Sequence, residues 1–315
     1  MIAVTLSVEL FLMITVGFFS IRSGIVKDDF TNKLNSFVMQ ITLPAMIFNS
    51  ISNAAAFTSE ALSNCIIVLI ASTLVMVASL GLGQFFYWKN GKGGMARIIR
   101  YALTFTHFSF MGIPIMGALF GDVGTLYYVF FMVPVRIFYY TLSKPLMTPS
   151  DKKEKSHSAS ELLKGVFLNP ALVTVALGMV FWIGGLKMPT MIDYCIRQVG
   201  SLCSPLGLIL CGMRLGGCDL KGLLKPQYLG IPLLRLVMMP AIFYFPTRML
   251  MQFGIDPVIC NMIFIYTALP IAALLPVYTM QYDPDPDNQF MAAGTSAVAS
   301  ILSMLTIPLW CLAAL

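Results

Sequence analysis

The 315-residue chain is 58% hydrophobic and only 11% charged, with a mean hydropathy of +0.83. Soluble domains carry roughly a quarter of their residues as charges, so the composition excludes a soluble enzyme and points to an all-α polytopic membrane protein. The formal charge of +6 is no nucleic-acid signal, because the basic residues sit in short loops between apolar runs, where they report topology.

A helix needs about 20 residues to cross the hydrocarbon core. On that rule the sequence predicts ten spans, near 2–21, 33–53, 61–87, 97–120, 122–144, 166–186, 190–214, 227–250, 256–281 and 287–314. The first run, "MIAVTLSVELFLMITVGFFSI", lacks a basic leader and a small-residue cleavage site. It reads as a retained span and not as a removable signal peptide. Basic residues choose the orientation. Fifteen lie in the loops after spans 1, 3, 5 and 7, against Lys187, Arg197 and Arg248 on the other face. The positive-inside rule then puts both termini outside. The loop "DPDPDNQ" (283–289) should be cytoplasmic yet carries only acids, which contribute little to topology. Asp283, Asp285 and Asp287 read as a plain turn, since prolines intervene and the glycine of a calcium loop is absent.

The seven cysteines lie in or beside apolar segments with no CxxC pair. They read as reduced packing residues, and no metal site is expected. The clearly soluble stretch, "PSDKKEKSHSAS" (149–160), is a cytoplasmic linker between a first half (1–148) and a second (161–315). Ser158 and Glu161 have capping-box spacing, and a short interfacial helix is expected over "ASELLKGVF" (159–167).

The halves slide over one another. Gly17, Gly24 and Pro44 match Gly178, Gly185 and Pro205 at a shared offset of 161, and Pro114 of span 4 matches Pro270 of span 9 at 156. Five spans per copy is an odd number, so the second copy enters the membrane from the opposite side. That is the inverted repeat of secondary transporters. Matched proline-interrupted spans are the best sequence pointer to their binding site. Pro114 leaves the Phe110 carbonyl without its helical partner, and Pro270 does the same to Tyr266. In lipid such losses must be repaired by protein or water. Crossed half-helices would aim their N-terminal dipoles at an anion, and the carbonyl ends of the first halves would take a cation or a proton donor. Gly112 eases the departure from helix before Pro114.

Five stretches then resemble one family. "TLPAMIF" (42–48) resembles the Leu-Pro-Ala-x-x-Phe of the auxin efflux carriers, a family that includes bacterial malonate and malate permeases. "FTHFSFMGIP" (105–114) resembles its Phe-x-Asn-x-Gly-Phe-x-Gly-x-Pro, and "NPALVTVALGMVFWIGG" (169–185), "SPLGLILCGMRL" (204–215) and "ALPIAA" (268–273) fit its sixth, seventh and ninth spans. The resemblance implies ten helices in two inverted bundles of five, with crossed helices 4 and 9. Helices 1, 2, 6 and 7 would form a dimerising scaffold. Helices 3–5 and 8–10 would form a mobile transport domain moving like an elevator. His107 stands where the family usually has Asn, Ser109 where it has Gly, and Leu274-Leu275 follow Pro270 in place of the usual Asn.

Candidate substrate-binding residues are Thr106, His107, Ser109, Gly112 and Pro114 on span 4, Asn261, Thr267 and Pro270 on span 9, and Gln40 and Asn49 flanking Pro44 on span 2. Thr104 also carries a hydroxyl on the broken span. His107 is a candidate proton relay. Arg136 and Arg235 are the two bases that cannot be placed in loops. Intramembrane charges tend to face a cavity or a partner, and arginine offers a fork to a carboxylate, so both are candidates for anion binding or gating. Glu9, inside span 1, is read as an outer-interface acid.

The expected function is secondary transport of small organic anions, mono- or dicarboxylates, across the cell membrane, by a homodimer working in the lipid bilayer. A sodium-coupled anion symporter of similar plan, or a non-transporting membrane receptor, is the alternative. The sequence has no Walker motif, no HExxH and no GxSxG, so neither ATP hydrolysis nor intramembrane enzyme chemistry is expected. No cofactor is expected beyond a coupling proton or sodium ion.

Overall fold

Proline and glycine placement explains most helix boundaries in the computed structural model, which describes residues 2–53, 59–149, 170–217, 226–272 and 274–314. The linker, the Ser158–Glu161 pair, the expected interfacial helix and the Glu9 side chain lie outside the described residues. What is described is helical and apolar. Five helices are long and apolar enough to cross a membrane, at 29–52, 62–89, 113–147, 230–252 and 286–314. Shorter apolar helices lie at 12–22, 173–183 and 257–268.

In chain order the helices are α1 Ile2–Arg22, α2 Asp28–Phe37, α3 Leu43–Ser52, α4 Ser59–Lys89, α5 Gly94–Thr104 and α6 Ile113–Met147. Then come α7 Pro170–Ile183, α8 Thr190–Ser201, α9 Cys203–Gly216, α10 Gly230–Leu233, α11 Met239–Gln252, α12 Pro257–Ala268, α13 Leu275–Tyr282 and α14 Pro286–Ala314. Gly121, at φ 62°, interrupts α6 where the sequence separates spans 4 and 5.

Three π-helical turns, Val38–Thr42, Phe108–Gly112 and Leu234–Met238, run directly into α3, α6 and α11. Each is followed, two residues on, by a proline: Pro44, Pro114 and Pro240. The cause is common to all three. A proline has no N–H for the carbonyl four residues back, and a turn widened to i→i+5 bonds absorbs the gap. The Leu43 N–H duly bonds to Val38 O, and the Met239 N–H to Leu234 O. The carbonyl that Pro240 orphans, that of Leu236, accepts from the Trp310 indole at 2.7 Å. Asp256 starts α12 by accepting from the Val258 N–H at 2.8 Å, with Pro257 at the first helical position.

The chain divides into two compact units. The first comprises residues 1–70, 109–132 and 164–217. In it α1 packs along α9, and α3 packs on α7 and α8. The α1–α9 seam is made of glycine. A methyl group at Gly17 would collide with the Ile209 carbonyl, one at Gly212 with the Ile14 carbonyl, and one at Gly216 would lie 2.6 Å from the Phe18 carbonyl. Small residues spaced four apart let membrane helices approach backbone to backbone. Phe48 and Phe181 meet edge to face at 5.2 Å across the α3–α7 contact. Gly24 and Gly185, the sequence-matched pair, close α1 and α7 in the same left-handed conformation, at φ 74° and 59°. Their lack of a side chain makes that helix stop cheap.

The second unit comprises residues 71–108, 133–163 and 218–315. Here α11 packs on α12, α13 on α14, and α12 on α14. It holds the interrupted parts of spans 4 and 9.

Candidate substrate site at a helix crossing

The site begins where two helices stop. α5 ends at Thr104 and α12 at Ala268, and the next residue of each, Phe105 and Leu269, is extended (ψ 132° and 146°). The two extended pieces pair. Thr106 and Ile271 form an antiparallel bridge. The His107 N–H donates to Pro270 O at 2.8 Å, and the Ala272 N–H donates to Phe105 O at 3.2 Å. An isolated bridge among helices is what the physics of the membrane requires. Extended backbone at that depth has to find its hydrogen bonds in protein, and each piece finds them in the other.

The break in span 9 falls at Pro270, as expected, but the break in span 4 differs in place. Span 4 leaves the helix at Phe105–His107, seven residues or more before Pro114. Pro114 itself is buried near the start of α6, behind the π turn. Pro270 lies within the extended piece, and the proline near the start of the following helix is Pro276. The Tyr266 carbonyl that Pro270 orphans is not left bare, since the Leu269 N–H reaches it at 3.2 Å. The tight turn of the last helical residues supplies the bond that the proline cannot.

Arg235 completes the crossing. It rides on the π turn Leu234–Met238 and is 1% exposed. Its Nη1 donates to Leu103 O at 2.8 Å and its Nε to Leu269 O at 3.1 Å. Those two carbonyls belong to the C-terminal ends of α5 and α12, so one guanidinium caps both interrupted helices. Among the described residues no carboxylate pairs with it. Its counter-charge is the pair of helix dipoles, each carrying about half a negative charge at its C-terminus.

An aromatic cluster supports the α5 side. Tyr101 and Tyr139 meet through their hydroxyls at 3.3 Å. The Phe105 and Phe108 rings both stand edge-on to Tyr139, at 5.1 and 5.2 Å. Tyr278 of α13 joins Tyr101 at 5.9 Å. These tyrosines were not singled out by the sequence, where they are indistinguishable from packing aromatics. Their one signal is the four-residue spacing of Tyr101 and Phe105.

The remaining candidates divide by unit. In the second, Thr106 is buried at the bridge and Thr267 is buried, with its hydroxyl turned back to Phe264 O at 2.7 Å. Asn261 is half-buried in the body of α12, and Arg136 is 5% exposed in the second half of α6. Thr104 is buried and bonds to Arg100 O at 2.8 Å. In the first unit Ser109 and Pro114 line a small apolar cavity with Val38, Leu43 and Cys203. Gly112 is buried, and Gln40 is exposed. Asn49 is buried and its amide is engaged: it donates to Asp122 at 3.5 Å and accepts from Asn53 at 3.0 Å.

Comparison with known proteins identifies the family. A family model described as membrane transport protein matches residues 2–311. An uncharacterized transporter of Methanocaldococcus jannaschii is 24% identical over 308 residues, covering 95% of this chain and 94% of its own. An uncharacterized transporter of Methanothermobacter thermautotrophicus is 24% identical over 313 residues, with the same coverage of 95% and 94%. Family and relatives are transporters, not enzymes.

Proposed function

Because this chain belongs to the membrane transport protein family, that of the auxin efflux carriers, and is a multi-pass membrane protein, we propose that it is a secondary transporter of small organic anions. Mono- and dicarboxylates are the substrate class. The observation that carries the reading is the crossing itself. Two helices stop, their extended ends pair at Thr106 and Ile271, and Arg235 occupies both carbonyl ends. What the crossing then offers a solute is the N-terminal side of the segments that follow, with N–H groups and positive dipole ends. That polarity suits a carboxylate.

In this reading the ten spans form two inverted repeats, and the termini lie outside. The matched left-handed stops at Gly24 and Gly185 support the repeat. So does the interruption near Ser201–Cys203, at the same offset from the π turn before Pro44. Helices 1, 2, 6 and 7 serve as the scaffold of a homodimer. The crossed helices 4 and 9 travel with the rest of helices 3–5 and 8–10 in an elevator-like alternation of access. His107, Thr106, Arg136 and Thr267 contribute to the carboxylate site from the moving part.

The test is uptake of labelled three- and four-carbon dicarboxylates into sealed proteoliposomes, against protein-free vesicles. Saturable uptake, competed by unlabelled carboxylate and not by neutral analogues, is the expected result. Carboxylate binding with no flux would make the protein a receptor, and neither binding nor flux would remove the anion reading.

A further inference from the structure

We propose that Arg235 is a built-in counter-cation that takes the place of a coupling metal ion at the helix crossing, so that this carrier works without sodium or potassium. The proposal deepens the anion-carrier reading and rests on it for its transport arm. Its binding arm stands on the geometry of Arg235 alone.

The argument starts from the carbonyls. In carriers with interrupted helices, unwound backbone carbonyls and the C-terminal ends of half-helices are where a coupling sodium or proton is held. Here the corresponding ends are Leu103 O of α5 and Leu269 O of α12, and both are filled by one side chain. Two converging dipole ends amount to about one negative charge, and a guanidinium supplies one positive charge. The match explains how an arginine that is 1% exposed persists without a carboxylate among the described residues. A buried charge is tolerated when it is paired and hydrogen-bonded, and the crossing does both.

The way Arg235 reaches the crossing points the same way. It sits inside the π turn that precedes Pro240, and π bulges recur at functional sites. A planar fork of donors spans two carbonyls on different helices, as a single ammonium or a bare ion would do less specifically. A cation tethered there cannot dissociate. The crossing keeps its charge when the substrate leaves, and no gradient of a metal ion enters the cycle.

The experiment compares wild-type protein with Arg235→Ala, Arg235→Met and Arg235→Lys. Each is purified and melted in sodium, choline or guanidinium chloride at equal ionic strength, with urea as the neutral control. Each is also assayed for dicarboxylate uptake. Wild-type melting and uptake should be the same in sodium and choline. Arg235→Ala should melt lower and transport roughly tenfold more slowly or worse, since it removes two buried hydrogen bonds from a charged donor. Millimolar guanidinium, but not urea, should raise its melting temperature and recover uptake. Guanidinium should do neither for Arg235→Met, whose side chain fills the space, and Arg235→Lys should lie between Met and wild type. A purely structural arginine would show no rescue by a soluble cation.

The proposal is overturned if wild-type melting or uptake needs sodium. It is also overturned if guanidinium does nothing for Arg235→Ala while Lys is no better than Met. Should Arg235→Ala fail to fold, the Lys–Met comparison and the sodium indifference of the wild type decide it. A wild-type protein that moves no carboxylate would defeat the transport reading, while the melting arm would still report on Arg235.

Discussion

Arg97 Nη2 lies 2.9 Å from Asp283 Oδ2, and the pair is buried, with side-chain exposures of 10% and 2%. The acidic turn that runs against the charge rule is therefore tied to α5. Asp283 also accepts from Asn288 Nδ2 at 3.1 Å, and its other oxygen accepts from the Asp285 N–H at 3.1 Å. The Asp287 N–H bonds to Asp285 at 3.0 Å, so the segment is a chain of side-chain-closed turns.

Removing one member of this pair leaves the other charge buried. Asp283→Asn and Arg97→Gln should each destabilise the protein by about 3–5 kcal/mol, read as a fall in melting temperature. The double variant should recover much of that loss. Strict additivity of the two single effects would mean that the side chains do not interact.

The α1–α9 seam predicts a steric effect without any change of charge. Gly17→Ala and Gly212→Ala each place a methyl group on a backbone carbonyl of the opposite helix. Overpacking of this kind costs about 1–3 kcal/mol, and backbone cannot move aside as a side chain can. Both variants should melt lower than wild type, whereas Gly81→Ala, which meets nothing within 4 Å, should melt like it.

His107 contributes to the crossing through its backbone. Its N–H is the donor to Pro270 O, a bond that His107→Gln keeps, so this variant should alter uptake more than the melting temperature. His107→Pro removes the donor and should lower both. If His107→Gln leaves uptake and its pH dependence untouched, the imidazole has no part in substrate or proton handling.

Asn49 and Arg136 should behave differently from each other. The Asn49 amide is already committed to Asp122 and Asn53, so Asn49→Ala should affect stability more than KM. Arg136→Gln should raise the KM for carboxylate, because it removes a cation from the proposed moving part. A wild-type KM for Arg136→Gln would take that arginine out of the site.

How much of this was written in the sequence depends on the distance over which each feature is decided. The paired stops at Gly24 and Gly185 are local, because a glycine after an apolar run is a helix end wherever it occurs. The existence of breaks in spans 4 and 9 was legible from Pro114 and Pro270. The position of the second was legible too, at Pro270, and that of the first was not. A proline followed back by two residues met a π turn in three helices, and a π turn repairs the missing bond without leaving the helix. The real departure in span 4, at Phe105–His107, has no breaker residue. It is held by the strand across from it, which only the tertiary structure supplies. Arg235 was visible as a base that no loop could accommodate. Its partners were invisible, since they are main-chain carbonyls 132 and 34 residues away. Arg97 and Arg100 belong by sequence with the basic residues of the loop between spans 3 and 4, yet both are buried residues of α5. Their place follows from Asp283 for Arg97, and for Arg100 from the Leu146 carbonyl and the Tyr87 ring beneath it.

The pairing of Thr106 with Ile271 is the joint on which the proposed anion site depends, and it can be measured by cross-linking. The hydrogen bonds run between the flanking residues, so the two face each other as a non-hydrogen-bonded pair, for which Cα atoms lie about 4.5 Å apart and a disulfide fits. Thr106→Cys with Ile271→Cys, treated in membranes with a permeant oxidant, should give an intramolecular disulfide seen by mass spectrometry of the digested protein. Oxidation should lower the uptake of the double-cysteine variant no further than the two substitutions alone do, because in the proposed cycle the crossing travels as one piece. Two thiols that stay reduced beside an oxidised surface control, or a bond that forms only between separate chains, would contradict the account.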